Sequence, residues 1–191
     1  MSPNSMCRTL IAGVDEAGRG CLAGPVSVAV AVCDQNSQWA VTDSKSYSEK
    51  QRELLFHMAR KELVAFSYVM IDANVVDEIN IRQATLKGMR DAYALIEKFH
   101  LSIQEILVDG IDAPIPNSVA IIKGDTKVRA ISAASIIAKV VRDRMMHYYH
   151  ELYPEYRFDL HKGYGTKLHY EKIAEHGLSP IHRRSFLKRV L

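Results

Sequence analysis

Two acids, Asp15 and Glu16, stand side by side in GVDEAGRG (13–20), between an apolar run and closely spaced glycines. Taken alone, such a pair serves as a helix cap, a solvated loop or one half of a salt bridge. Two features open another use. Gly18 and Gly20 flank Arg19, so the backbone can approach a ligand and offer N–H groups to an oxyanion. Asp109 closes the run EILVDG (105–110), and Asp125 follows SVAIIKG (118–124) by one residue, so three segments can bring carboxylates to one place. Converging carboxylates repel unless a cation compensates. With no cysteine or histidine at ligand spacing, the cation that suits them is hard, Mg²⁺ or Mn²⁺. Acids holding hard ions beside a basic surface are the parts of a phosphodiester hydrolase, in which two ions roughly 3.5 to 4 Å apart activate water and stabilise the leaving oxygen.

Other chemistries lack their residues. The chain has no G-x-x-x-x-G-K-[ST] loop, no G-x-S-x-G elbow and no H-E-x-x-H zinc motif. His147 and His150 are spaced i, i+3 without a third ligand and read as ordinary histidines. Cys7, Cys21 and Cys33 are odd in number and without C-x-x-C spacing, which argues against a disulfide framework and fits a reducing cytoplasm. The opening stretch meets a charge before it can build an apolar signal core, and no run approaches the roughly 18 apolar residues of a membrane span. A cytoplasmic monomer, neither exported nor membrane-bound, is expected.

Net charge is +3, unevenly spread. From Arg157 onward eight basic residues face three acidic ones, an excess of five, which leaves the first 156 residues at −2. A basic tail on an acidic body suits phosphate-backbone binding through Arg183, Arg184, Lys188 and Arg189; a solvated charged face is the alternative.

The elements that position these residues are legible as an α/β pattern. Strands are expected over 10–14, 26–32, 64–71, 105–110 and 118–124. In the second, valines at 26, 28, 30 and 32 alternate with small residues, the period of a strand with one well-packed face. Helices are expected near 48–63, 76–99 and 130–152, the last packing on one face through Ala134, Ala138, Val141, Met145, Tyr148 and Leu152, with Lys139, Arg142, Asp143 and His147 opposite. Short helices follow near 167–176 and 183–190. The reading is an α/β sandwich over 1–153 with a helical C-terminal extension over 154–191. Neighbouring strand residues point to opposite faces, so a turn at Asp15 and Glu16 is expected to let both reach one site.

At this point GVDEAGRG (13–20), TDSKS (42–46), VDG (108–110), KGD (123–125), ISAASIIAKVVRDR (131–144), HKGYGT (161–166) and HRRSF (182–186) resemble, in order, the motifs of ribonuclease HII, the type 2 ribonuclease H. The resemblance spans nearly the whole chain. It implies a ribonuclease H-like mixed five-stranded sheet with flanking helices, and a helical C-terminal extension that helps hold the duplex. It implies cleavage of the RNA strand of RNA–DNA hybrids and cutting 5′ of ribonucleotides embedded in duplex DNA, leaving 3′-hydroxyl and 5′-phosphate ends. Carried over, Asp15, Glu16, Asp109 and Asp125 are the metal-binding carboxylates, for Mn²⁺ or Mg²⁺. The Gly18-Arg19-Gly20 backbone and Tyr164 recognise the ribose 2′-hydroxyl, the group that separates RNA from DNA. Lys45, Lys139 and Arg142 are phosphate contacts or solvated charges, and Asp143 reads as an ion-pair partner on its helix.

The chain departs from the family pattern at Cys21, where proline is common, and at Ser46, where a second lysine often follows DSK. Neither touches a proposed metal ligand. Two competing readings are another ribonuclease H-like nuclease, separable by cleavage at a lone ribonucleotide, and a binding module without catalysis, which has no use for four acids facing phosphates.

Overall fold

The computed structural model describes residues 8–39 and 46–188. Lys45 and Arg189 lie outside the described residues. The elements run β1 (Leu10–Ala17), β2 (Val26–Asp34), α1 (Glu49–Glu62), β3 (Ala65–Ile71), α2 (Ala73–Glu97), β4 (Ile103–Asp109), β5 (Ser118–Ile121), α3 (Arg129–Leu152), α4 (Phe158–His161), α5 (Lys167–His176) and α6 (Arg184–Leu187). They form one mixed five-stranded sheet in the order β3-β2-β1-β4-β5, with β1, β2 and β3 antiparallel and β1, β4 and β5 parallel. Among the described residues, no helix is long and apolar enough to cross a membrane.

The sheet lies between α2 on one face and α3, backed by α1, on the other. Strand β2 is buried on both faces, not one: Val26, Val28, Val30 and Val32 pack with Val76, Ala84, Met89, Ala92 and Ile96, while Ala29 and Ala31 pack under Ile136, Ile137 and Val140. The small residues let α3 lie close. At β1 the approach is closer still, because a Cβ on Gly13 would stand 2.0 Å from the Ala130 carbonyl carbon. Only glycine admits the start of α3 at that depth.

For the same reason α3 does not pack on a single face. Residues 130–138 are all buried, as are Val140 to Asp143 and Met146, while Tyr148 and Leu152 are about half exposed. The first half of α3 runs between the sheet and α1, its middle packs on the C-terminal segment through Arg142 and Met146, and only its last turns read as an amphipathic surface helix. Helix α2 is broken at Asn80 (φ 64°, ψ 162°), whose side chain accepts the Gln83 N–H at 3.1 Å and so caps the second half.

Candidate active site

Strand β1 runs through Asp15 and Glu16 to Ala17, with pairing to β2 as far as Ala17 opposite Ser27, so the expected turn between the acids is absent. They reach common space by another route. Parallel pairing of β1 with β4 ends at Val14 opposite Val108, and beyond it the β4 side of β1 is open. Alternation aims Asp15 toward α3, in line with Ile11 and Ala17, and Glu16 toward α2, in line with Ala12 and Val14. Asp109 is the last residue of β4, and its Oδ1 accepts the Gly124 N–H at 2.6 Å, which ties it to the 3₁₀ turn Gly124–Thr126 that carries the buried Asp125.

A cavity of about 220 Å³ is the result, lined by Asp15, Glu16, Asp109 and Asp125, by Gly18 and Arg19, and by Ser135, Lys139 and Tyr164. Asp15 is 5% exposed. Burial is the largest cause pushing its carboxyl well above the ordinary range; the charges of Glu16 and Asp109 add to it, and the Ser135 hydroxyl and Glu16 N–H oppose it. Arg19 Nη1 stands 3.2 Å from Glu16 Oε1, the arginine half exposed and the glutamate largely buried. A second cavity of about 280 Å³ adjoins on the α2 side, shares Glu16, Arg19 and Asp109, and adds Arg82 bound to Asp112 at 2.6 and 3.1 Å.

The carboxyl-rich, all-oxygen donor set matches a hard divalent ion, and the charge repulsion on Asp15 is what such an ion relieves. The four acids share this cavity without a preformed centre: among the described residues, no three His, Cys, Asp or Glu side chains already converge as ligands of one ion, so binding would draw these carboxylates together.

Gly18 has φ 91°, and a Cβ there would meet the Arg142 Nε at 1.9 Å; Gly20 faces open space. Tyr164, 40% exposed, also lines the cavity, with Lys139 Nζ 5.5 Å and Arg142 Cζ 5.7 Å from its ring centre. Lys139 lines the cavity while bound to Asp143 at 2.7 Å, and Asp143 is held on its other oxygen by Arg52 at 3.2 Å. His147 pairs with Glu49 at 2.7 Å.

Two basic residues expected at phosphates are elsewhere. Arg142 is fully buried and donates to the carbonyls of Pro25, Ala23 and Lys162 at 2.9, 3.1 and 2.8 Å. Arg183 is fully buried and donates to Gly24 O at 3.0 and 2.9 Å and to Arg19 O at 2.8 Å. Both clasp the glycine-rich connection between β1 and β2 from beneath. Its bends leave carbonyls without sheet partners, and a guanidinium, with five donors, satisfies several at once. Burial and the neighbouring Arg142 pull the Arg183 guanidinium down to about 10. Arg184 and Lys188 remain exposed.

The sequence reading missed Ser135, the side chain on Asp15. Its signal was a hydroxyl one turn before Lys139 inside an apolar run. It missed Asp77 too, whose carboxylate accepts the N–H groups of Arg184 and Ser185 at 2.8 and 3.0 Å and so caps the start of α6.

Residues 12–189 match the family described as Ribonuclease HII. Ribonuclease HII of Hydrogenovibrio crunogenus is 45% identical over 188 residues, covering 97% of this chain and 89% of that protein. The crystal structure of ribonuclease H2 from Pyrococcus horikoshii superposes with a TM-score of 0.75 at 27% identity, over 95% of this chain and 97% of that one. Bst-RNase HIII in complex with Mn²⁺ shares the fold, with a TM-score of 0.73 at 15% identity over 95% of this chain and 66% of that one. The chain belongs to the ribonuclease HII family, and is a metal-dependent ribonuclease H endonuclease acting on RNA–DNA hybrids.

Proposed function

We propose that this member of the family cuts on the 5′ side of ribonucleotides embedded in duplex DNA as well as within hybrids, by two-metal hydrolysis leaving 3′-hydroxyl and 5′-phosphate ends. One observation carries the reading: a single cavity joins four acids from three segments to the Gly18-Arg19 backbone and to Tyr164. Asp15, Glu16, Asp109 and Asp125 hold the ions, Mn²⁺ or Mg²⁺. Bound there, the ions supply an activated water and neutralise the leaving oxygen. Ser135 orients Asp15, and the Gly124 N–H orients Asp109. The Gly18-Arg19-Gly20 backbone and Tyr164 recognise the 2′-hydroxyl, with Gly18, Arg19 and Tyr164 at the cavity wall. Lys139 stands at its wall and Arg184 on the exposed C-terminal surface, both within the role of phosphate contacts, and the extension after residue 153 aids duplex binding.

The test is incubation with a DNA duplex carrying one ribonucleotide, with and without Mg²⁺ or Mn²⁺. Metal-dependent incision 5′ of the ribonucleotide is expected. Cleavage confined to long hybrids overturns the sugar-reading part; incision undiminished by chelation overturns the metal part.

A further inference from the structure

Behind Tyr164 the C-terminal segment buries three imidazoles. His161 stacks on His169 with ring centres 4.1 Å apart, and Phe158 packs edge-on to both. His169 and His182 are joined Nε2 to Nε2 at 3.0 Å. The remaining partners fix the tautomers. The Tyr164 carbonyl can only accept, so His169 carries its proton on Nδ1, 2.9 Å away, and turns a bare Nε2 toward His182. The Ser179 N–H can only donate, so His182 accepts on Nδ1 at 2.9 Å, joined by the Ser179 hydroxyl at 2.8 Å, and carries its proton on Nε2. The direction is consistent throughout: Ser179 N–H to His182, His182 N–H to His169, His169 N–H to the Tyr164 carbonyl.

We propose that His182 and His169 form a relay that positions Tyr164, so that the 178–183 loop sets the gap between the two halves of the sugar-reading site. The proposal rests on the role assigned to Tyr164 above. Two adjacent residues serve the two halves. The His182 side chain reaches the Tyr164 peptide through His169, and the Arg183 side chain holds the carbonyls of Arg19 and Gly24. The loop is itself pinned between them, with Arg183 N–H on Leu22 O at 2.8 Å and a bridge between Ala23 and His182. The Tyr164 peptide is held at both ends, its N–H by His161 O at 2.9 Å and its carbonyl by His169 together with the Thr166 N–H at 2.8 Å. An exposed aromatic ring at a cavity wall takes its position from such backbone anchors, and a misplacement of about 1 Å can cost about a hundredfold in rate.

The test compares three substitutions at residue 182. His182→Leu removes the donor and the acceptor. His182→Asn keeps an acceptor for Ser179 but is too short to reach His169, and serves if the leucine variant does not fold. His182→Gln places an amide N–H near the lost Nε2. Cleavage at a lone ribonucleotide is expected to fall about 10- to 100-fold in His182→Leu and His182→Asn and to recover to within about threefold in His182→Gln. In a Tyr164→Ala background the residue 182 changes should add less than about twofold, because two residues acting through one contact are not additive. The ring signals of ¹³C-labelled Tyr164 should move in His182→Asn and return in His182→Gln. Equal losses with and without Tyr164, or unmoved Tyr164 signals in a folded His182→Asn protein, overturn the relay. If Tyr164→Ala cuts a lone ribonucleotide at the wild-type rate while the signals still move, the sugar-reading role fails and the relay stands.

Discussion

The acid cavity and the arginine–histidine layer beneath the glycine-rich connection are both buried and polar, and they are built on opposite terms. In the cavity like charges are driven together, and Asp15 is held against its own ionisation by burial and by its neighbours. In the layer every named donor has its acceptor: Arg142 and Arg183 on carbonyls, His182 on His169, His169 on Tyr164. A polar cluster whose repulsion is left standing is shaped for something that binds it. One whose bonds are complete is a scaffold.

The largest expected effect separates the two outright. Asp109→Asn and Asp15→Asn should lower single-turnover cleavage of a hybrid by more than about 100-fold, since loss of a group merely behind a metal ligand costs about 10- to 100-fold. The folded protein should not suffer. Because the Asp15 pKa is raised on folding, its neutral form is the one the fold favours; that stability is present below the ordinary carboxyl value of 3.8 and is lost as pH rises through the raised value. Asp15→Asn should therefore melt higher than wild type at pH 7 without metal, and a lower melting temperature would place the cavity with the scaffold.

Next come the arginines. Arg142→Ala and Arg183→Ala should each cost about 3 kcal/mol or more in denaturant unfolding, because each strands buried carbonyls at about 1 to 3 kcal/mol apiece. Affinity per folded molecule should keep its salt dependence. A flattened salt slope in either variant would return these residues to the phosphates.

The pH response should differ in sign between the regions. Burial pulls the imidazoles of His169 and His182 down to about 4, so the fold favours their neutral forms. Their stability is fully present above 6.5 and is lost as pH falls toward 4, on the order of 3 kcal/mol for one imidazole at 1.36 kcal/mol per unit. Thermal melts from pH 7 to pH 4 should show this loss in wild type, and a smaller one in His182→Gln. Equal slopes would remove the histidines from the account.

The smallest effect is at the surface. Arg184→Ala should leave stability within about 0.5 kcal/mol and flatten the slope of log affinity against log salt by roughly 0.7 to 0.9. An unchanged slope makes the exposed tail a solvated face.

The sequence by itself determined a good deal. Alternating valines in β2, acids at the ends of apolar runs and seven ordered motifs placed all five strands, the long helices and the family, because period and local chemistry are carried by neighbours in the chain. It determined the residue types of the cavity as well: the four acids, Gly18, Arg19, Lys139 and Tyr164 all line it. Only the tertiary structure decided how Asp15 and Glu16 share a site without a turn, since that depends on where β4 stops beside β1, a contact between segments some ninety residues apart. Only it decided which arginines face water. Arg183 and Arg184 are adjacent and chemically identical, yet one is fully buried and the other exposed. The carbonyls that draw Arg183 inward belong to Arg19 and Gly24, more than 150 residues earlier. A charge count records how many cations a segment carries, whereas burial depends on which distant acceptors the fold leaves unsatisfied beside each one.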